Sequence, residues 1–298
     1  MQSKTPWATQ AAAISAVALW GLAFPLIQEG LKDFSPVMLG FLRFLLASAI
    51  ILVFILFRYR LQELTRTVRR EWKPLLALGV LYVTLPNLAQ NFGLQNGTSS
   101  IASVIQSSGP MMTLVFAALI LGEGLTRKKG MGTAIAMTGT VLLVFSGDIS
   151  LKNESFVSNL LILSSAVSYG LAWVSAKHML ERNPPVMIIG LSLAIGTIFL
   201  GLVTPFEVGP RAVFTATSVT NLALLGFLCA GVSSVLYLTS LEHEEVSQMA
   251  FFIYLMPVFA SFFAWAILGQ GVAVWTAICG LIIVCGIAIA NRASRNRT

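Results

Sequence analysis

The chain has 298 residues, of which 56% are hydrophobic and only 10% are charged. Soluble domains carry about 25% charged residues, so this composition excludes a water-soluble globular protein. The net charge of +7 would suggest a nucleic-acid partner in a soluble protein, but the basic residues here lie between apolar segments. We therefore expect a lipid bilayer, and no nucleic acid, as the partner of this chain.

Runs of about 20 apolar residues recur along the chain, and each is long enough to cross a hydrocarbon layer of roughly 30 Å. Short loops separate them, and the longest loops are 58–72 and 205–217. The pattern predicts an all-α membrane protein with ten transmembrane helices. The predicted spans are 8–29, 36–57, 73–93, 98–121, 130–147, 158–181, 186–204, 218–241, 246–268 and 271–290.

The two halves of the chain are related as a tandem duplication. Residues 75–142 align with residues 222–289 at a constant offset of 147, and earlier segments align at an offset of 149. Because each copy carries an odd number of spans, the second copy must enter the membrane upside down. We predict two inverted five-helix repeats, 1–147 and 148–298, which is a design typical of small-molecule transporters.

The basic residues predict the orientation of the chain in the membrane. If the N-terminus is cytoplasmic, fifteen Lys and Arg residues lie in cytoplasmic segments. The other side carries only Lys32, Lys152 and Arg211, and Arg43 lies inside a span. Loops rich in Lys and Arg stay in the cytoplasm, so we expect both termini to be cytoplasmic.

Several short motifs occur in a fixed order and recur in the second copy. They are Trp20-Gly21-Leu22-Ala23-Phe24-Pro25, Ser35-Pro36 before Leu42-Arg43-Phe44, Pro110 twelve residues before Gly122-Glu123, and Gly130 to Gly139. Together they resemble the drug/metabolite transporter superfamily, in its ten-span branch with paired EamA-type domains. The second copy departs from this pattern, with Gln270 where the family usually has Glu and Ser192 where the first copy has Arg43.

The resemblance implies a central cavity between the two repeats and alternating access for small organic solutes, most often moved outward. It also implies a multi-pass protein of a bacterial-type cytoplasmic (inner) membrane. The family name leaves the substrate open, because the same scaffold carries many solutes.

Two prolines occupy matched positions near the middle of their spans. Pro110 lies in the fourth span and Pro257 in the ninth, and each removes a backbone hydrogen bond from its helix. We expect these kinks to lie near the membrane midplane, where transporter sites typically form, and to serve gating. The alternative is that both prolines only shape helix packing.

Carboxamide side chains near these kinks are candidate cavity residues. Asn87, Gln90 and Asn91 share one face of the third span, and Gln106 precedes Pro110 by one turn. Bare carboxamides facing lipid would leave donors unpaired, so these faces should point inward. Hydrogen bonding between helices is the alternative.

Aromatic side chains add to this candidate site. Trp20 and Phe24 are one turn apart on the first span, and Tyr169 and Trp173 are their repeat equivalents on the sixth. Such rings above carboxamides would suit a solute with an apolar body and a polar head, as in amino acids. Packing or an interfacial belt is the alternative role. Further aromatic candidates are Tyr82, Tyr254 and Tyr237, the last aligned with Gln90.

Arg43 is the one basic residue well inside a predicted span, and a substrate carboxylate is its natural partner. It could instead snorkel to the surface, or pair with Glu29 or Asp33. Glu123, at the end of the fourth span, is expected to cap or gate at most. Because no Asp or Glu lies at mid-depth, downhill transport or exchange is the expected driving mode.

Small residues mark the fifth and tenth spans, where Gly132, Ala136 and Gly139 repeat at spacings of three and four residues, and Gly280 and Gly286 lie in the tenth span. Such spacing permits close helix approach, so we expect these spans to be scaffold outside the cavity. They could also form a homodimer face. Cys229, Cys279 and Cys285 are expected to be packing residues, without a disulfide or a metal.

These patterns favour a carrier that exports small amphipathic metabolites, with amino acids, including aromatic ones, as the preferred class. Drug-like amines and phosphorylated or nucleotide-sugar solutes are alternatives, although phosphate favours several convergent cations. An enzyme would need a nucleophile with a base, paired carboxylates or clustered metal ligands, and none is apparent. We therefore predict no catalytic residue, no metal and no cofactor, while a structural or signalling membrane protein remains an alternative.

Overall fold

The computed structural model describes residues 6–122, 127–145, 153–209, 211–241 and 252–295, and the predicted all-α class is confirmed for them. Their β structure is one antiparallel bridge between Phe34 and Ala212. Seven of the described helices are long and apolar enough to cross a membrane, and three shorter apolar helices accompany them. In chain order they are α1 (Pro6–Gly30), α2 (Pro36–Arg58), α3 (Leu61–Asn96), α4 (Ser99–Leu121), α5 (Arg127–Val144), α6 (Glu154–Leu180), α7 (Pro185–Phe206), α8 (Ala216–Ser240), α9 (Met256–Leu268) and α10 (Val274–Arg295).

The third helix is longer than the sequence predicted. Segment 58–72 was expected to be a loop, but the chain is helical from Leu61 onward, so that expectation was wrong. Leu64 and Leu75 are buried on one face of this helix, which makes its charged first half amphipathic rather than irregular. A kink at Glu71, with φ −113° and ψ 19°, marks where the amphipathic half meets the apolar span.

Both copies depart from the α-helix at matched places. A π-helical turn spans Gly79–Thr84 in α3, and another spans Leu224–Val232 in α8, which includes the positions reached by an offset of 147. A π turn leaves backbone groups in need of partners. The Thr84 hydroxyl donates to the Gly79 carbonyl at 3.3 Å, and the Ser233 hydroxyl donates to the Cys229 carbonyl at 2.6 Å.

The two matched prolines begin helices rather than bending continuous ones. Pro110 and Pro257 are each the second residue of a 13-residue helix, Gly109–Leu121 and Met256–Leu268. Proline suits the first turn because its missing N–H has no intrahelical partner there. The expected mid-span kink is therefore a full helix break in α4, at residues 107–108. Part of the predicted ninth span, 246–251, lies outside the described residues, as does Glu123.

Both helices that start at these prolines also end alike. Gly122 follows α4 and Gly269 follows α9, and each has φ +66°. This left-handed conformation suits glycine, which has no Cβ to clash. The duplication therefore extends to the geometry of single helix ends.

The two copies do not form separate bodies, because their helices interlock reciprocally. Helix α1 packs against α8 and α9 of the second copy, while α6 packs against α3 and α4 of the first. A Cβ added to Gly21 would lie 2.7 Å from the Phe259 Cβ, and one added to Gly170 would lie 2.7 Å from the Met112 Cβ. These four residues are repeat equivalents, so the same close approach occurs twice.

The small residues of α5 and α10 bring these two helices together within one chain. A Cβ on Gly139 would lie 2.9 Å from the Ile283 side chain, and a Cβ on Gly286 would collide with the Ala136 backbone. This stripe is therefore buried by intramolecular packing, and the homodimer face suggested for these two spans stays a prediction.

Helices α2 and α7, which are repeat equivalents, also pack directly against each other. Their contact includes a buried hydrogen bond of 2.7 Å between the Ser48 and Thr197 hydroxyls. These two residues are related by the 149-residue offset, so each meets its own counterpart.

The junctions between helices distinguish the two ends of the bundle. At one end, which we call the basic end, Arg70 Nη2 donates to Asn183 Oδ1 at 3.0 Å and joins the α3 start to the α6–α7 junction. At the opposite end, Glu207 accepts hydrogen bonds from the Ser35 hydroxyl at 2.6 Å and the Val37 N–H at 2.8 Å. A carboxylate thus caps the N-terminus of α2, where negative charge is stabilising.

Candidate functional site

A cavity of about 740 Å³ lies between helices of both copies. Most residues that the sequence singled out line its wall, although their role in binding remains a prediction. The predicted residues in the lining are Trp20, Phe24, Arg43, Tyr82, Gln90, Gln106, Pro110, Tyr169, Trp173, Tyr237 and Tyr254. Asn87, Asn91 and Pro257 lie outside it.

Arg43 brings a buried cation to this cavity. It lies on α2, only 7% of its surface is exposed, and its Nε and Nη1 atoms have no hydrogen-bond partner among the described residues. Its guanidinium carbon lies 5.0 Å from the centre of the Phe44 ring. The side chain does not snorkel to the surface, and Glu29 pairs instead with Lys32 at 2.6 Å.

Aromatic rings form much of the remaining wall. The Tyr82 ring meets the Tyr169 ring edge to face at 5.6 Å and the Trp173 ring at 5.7 Å. Trp20 contacts Tyr237 at 4.7 Å between ring centres, which joins α1 to α8. Edge-to-face packing orients such rings and leaves part of each face available to an apolar solute.

The predicted carboxamide face of α3 is divided between two roles. Gln90 lines the cavity, whereas the Asn91 amide donates to the Pro36 carbonyl at 2.8 Å and ties α3 to α2. The Asn87 amide donates to the Val83 carbonyl at 2.7 Å. Successive helical positions diverge by about 100°, so Gln90 and Asn91 cannot face the same neighbour.

Gln106 adds an acceptor to the cavity wall. Only 8% of its surface is exposed, and its Oε1 atom has no hydrogen-bond partner in the described part of the chain. It ends the first half of α4, directly before the break at Ser107 and Ser108. Pro110, in the half of α4 that follows the break, also lines the cavity.

Sequence reasoning missed several polar residues in the lining. Cys229, Ser234 and Thr113 all contribute, and Cys229 aligns with Tyr82 at the offset of 147. The repeat alignment could therefore have identified Cys229 as soon as Tyr82 was chosen. Gly132 and Thr133 also reach the cavity, so the expectation that α5 lies wholly outside the lining was wrong.

The cavity has different surroundings at its two ends. Its lining continues to Leu121, Lys177 and Leu180 at the basic end. At the opposite end Gln28 crosses the bundle, donating to the Gly97 carbonyl at 2.9 Å. The Gln28 Oε1 atom also accepts hydrogen bonds from the hydroxyl of Ser99 at 2.8 Å and from Nε2 of Gln270 at 3.1 Å.

These groups are suited to binding rather than to bond-breaking chemistry. The wall offers the Arg43 guanidinium at mid-depth, carboxamides, hydroxyls and aromatic rings, which together match an amphipathic anion, while Lys177 and Glu181 lie toward the basic end. Among the described residues, no three His, Cys, Asp or Glu side chains converge as metal ligands.

Comparisons with known proteins connect this architecture to a family. The chain is 27% identical over 274 residues to an uncharacterized transporter of Archaeoglobus fulgidus, covering 90% of this chain and 92% of that protein. It is 24% identical to the uncharacterized transporter YoaV of Bacillus subtilis, covering 92% and 93%. It is also 24% identical to a probable terminal-alkyne amino-acid exporter of Streptantibioticus cattleyicolor, covering 99% and 96%.

The fold has also been seen in a crystal. One crystal structure matches with a TM-score of 0.68 at 19% sequence identity, covering 98% of this chain and 99% of that one. Residues 7–145 and 157–292 each match the EamA-like transporter family. With two matches that together cover most of its length, the chain belongs to the EamA-like transporter family, as its motifs predicted.

Proposed function

We propose that this protein carries small amphipathic metabolites across the cytoplasmic membrane, with amino acids or related compounds as its cargo, in the outward direction. The observation that carries the proposal is Arg43, a buried guanidinium that faces the cavity with two nitrogens unpartnered among the described residues. The name of the relative from Streptantibioticus cattleyicolor supports the class of cargo.

The chemistry of a buried cation favours a carboxylate as the bound group. A guanidinium removed from water is costly unless an anion supplies both charge and hydrogen-bond acceptors. Hydrogen bonds between a guanidinium and a carboxylate are short and about twice as strong as neutral ones. A solute carboxylate at Arg43 would therefore stabilise a group that the described protein residues leave unpaired.

The alternatives fit the cavity less well. A phosphorylated solute would favour several convergent cations, and Arg43 is the one basic side chain at mid-depth in the described lining. A drug-like amine could rest on the aromatic rings, but Arg43 would repel its charge.

For the transport cycle, we propose ten spans arranged as two inverted repeats, with both termini in the cytoplasm. The reciprocal packing of α1 and α6 supports this arrangement, because each contacts the equivalent helices of the other copy. In such a design the two sides of the membrane gain access when the repeats exchange shapes around a shared central site. The three shorter apolar helices would complete the set of ten.

Solute flux in liposomes tests this function directly. Liposomes that contain the purified protein and are preloaded with an unlabelled amino acid should take up the same amino acid in labelled form by exchange. Arg43→Gln should lower that uptake by roughly 10-fold or more, since hydrogen bonds to charged groups contribute about 1.5–3 kcal/mol. Arg58→Gln, which removes a charge from the end of the same helix, is the matched control and should retain uptake. Equal uptake by the wild type and Arg43→Gln would contradict the proposed site.

A further inference from the structure

The two halves of the cavity are built by equivalent positions that carry different chemistry. Arg43 on α2 corresponds to Ser192 on α7 at the offset of 149, and Tyr82 on α3 corresponds to Cys229 on α8 at the offset of 147. In the structure α2 packs against α8, and α7 packs against α3. The duplication therefore creates two equivalent corners, one with Arg43 and Cys229 and the other with Ser192 and Tyr82.

The first corner, which we call the anion corner, contains Arg43 and Cys229. Their helices α2 and α8 pack against each other, and both side chains line the cavity. Helix packing fixes them together, because a Cβ on Gly226 would lie 3.0 Å from the Arg43 carbonyl oxygen. A guanidinium beside a small thiol leaves room for a carboxylate that a bulkier neighbour would displace.

The second corner, which we call the ring corner, contains Tyr82 with Tyr169 and Trp173. In this corner Ser192 occupies the position that is equivalent to Arg43. Ser192 is fully buried and lies outside the cavity lining, and its hydroxyl donates to the Ile188 carbonyl at 2.8 Å. The ring corner therefore offers aromatic surface and no charge where the anion corner offers a cation.

Both corners belong to one cavity of about 740 Å³. Tyr169 lines it in the ring corner, where its ring packs on Tyr82 at 5.6 Å, and Arg43 lines it in the anion corner. A small solute can therefore place its carboxylate in one corner and its apolar group in the other. An α-amino acid has this arrangement.

From this asymmetry we infer that the cavity binds its solute in one fixed orientation, with a carboxylate in the anion corner and an apolar group in the ring corner. Tyr82 and Cys229 are the specificity-determining pair. The site selects solutes that are anionic at one end and apolar at the other, and it discriminates against solutes that are anionic at both ends. This inference rests on the proposed function and specifies its substrate class.

The inference predicts that the preference for a carboxylate and the preference for an apolar group can be lost separately, by different substitutions. The probes are phenylalanine, alanine, glutamate and phenylalaninamide, which lacks the carboxylate, and their affinities for purified protein are measured by titration calorimetry. The wild type should prefer phenylalanine to alanine, to glutamate and to the amide. Arg43→Gln should remove the preference over the amide by about 10-fold or more and keep the preference over alanine.

Tyr82→Cys, which installs the residue of the equivalent position, should give the reverse result. It should lower the preference for phenylalanine over alanine by roughly 3- to 10-fold, as expected for losing one aromatic contact, and keep the preference over the amide. Tyr82→Phe, which keeps an aromatic ring at this position, should keep the preference for phenylalanine over alanine. Ser192→Ala, outside the lining, is the matched control and should change neither ratio.

The possible outcomes distinguish a failure of this inference from a failure of the proposed function. If Arg43→Gln and Tyr82→Cys each weaken both preferences alike, or if glutamate binds as tightly as phenylalanine, the divided cavity is wrong although the carrier of amino acids stands. If the wild type binds none of the four probes, the proposed cargo class and the inference both fail.

Discussion

The two copies of this chain agree in backbone geometry and differ in the side chains that they present to the cavity. Each copy has a π-helical turn, a helix that begins one residue before a proline, and a left-handed glycine at the end of that helix. At equivalent positions, by contrast, the first copy has Arg43 and Tyr82, whereas the second has Ser192, which lies outside the cavity lining, and Cys229. The shared geometry is suited to movement, and the unequal side chains are suited to choosing the solute.

Departures from the α-helix are costly in a membrane unless their backbone groups find partners. Here the partners come from hydroxyl side chains in both copies, Thr84 in α3 and Ser233 in α8. The Thr84 hydroxyl also lies 3.2 Å from the Gly196 carbonyl of α7. The two copies therefore solve one physical problem in the same way, even where their cavity chemistry differs.

Substitutions that disturb the backbone geometry shared by the two copies should give the largest loss of stability. Gly170→Leu should prevent α6 from approaching α4, because even a Cβ would lie 2.7 Å from the Met112 Cβ, and Gly21→Leu should do the same to α1 and α9. Overpacking of this kind costs about 1–3 kcal/mol or more. Yield of monodisperse protein and the thermal unfolding midpoint are the measurements.

Gly130→Leu is the control for these substitutions. No atom of the described residues would lie within 4 Å of a Cβ at Gly130, so this variant should keep the yield and the unfolding midpoint of the wild type. Unchanged stability in either Gly21→Leu or Gly170→Leu would contradict the close approach of the copies.

A smaller effect is expected at the opposite end, where the copies differ. Glu207 caps α2 through the Ser35 hydroxyl and the N–H groups of Val37 and Met38, whereas the equivalent helix α7 has no side-chain cap at its N-cap residue Pro184. Glu207→Ala should lower the free energy of unfolding by about 1.5–3 kcal/mol, since hydrogen bonds to a charged acceptor are lost.

This prediction is tested by comparing the thermal unfolding of Glu207→Ala with that of Glu154→Ala. Glu154 lies exposed in the first turn of α6, and its loss should cost about 0.3–1 kcal/mol through the helix dipole alone. Equal shifts in the two variants would show that the carboxylate of Glu207 adds nothing beyond its charge near a helix end.

An effect on access to the cavity, measured apart from stability, is expected at Gln28, whose repeat equivalent is Lys177. Gln28 joins α1 to the Gly97 carbonyl, Ser99 and Gln270, so Gln28→Ala removes three neutral hydrogen bonds. Each contributes about 0.5–1.5 kcal/mol, and their loss should loosen this end without unfolding the protein.

Thiol labelling measures this loosening. In a Cys279→Ser, Cys285→Ser background, a reagent that cannot cross membranes should reach Cys229 from this end faster in Gln28→Ala than in the parent. Gln270→Ala, which removes only one of the three bonds, should give an intermediate rate. The same rate in all three proteins would mean that Gln28 does not close this end.

The sequence was sufficient for the all-α class and the family, and most of the residues that it singled out lie in the cavity lining, because these depend on apolar run length and on repeat alignment. It was insufficient for the helical segment 61–72, where many charged residues hid an amphipathic face. It could not separate Gln90 from Asn91, since only the position of α2 shows that Asn91 is occupied by the Pro36 carbonyl. The surroundings of Arg43 were equally inaccessible, because they are formed by helices far away in sequence.

The hydrogen bond between Ser48 and Thr197 joins two repeat-equivalent residues, so the symmetry of the proposed cycle predicts how it behaves during transport. In the proposed exchange of shapes between the two halves, a contact between counterparts is carried onto itself. A contact between non-equivalent residues persists only where both copies already make it, as at Gly21–Phe259 and Gly170–Met112. We therefore expect the Ser48–Thr197 contact to persist through the cycle, so that a covalent link made there leaves the carrier working, whereas a link between residues whose counterparts lie apart should stop it.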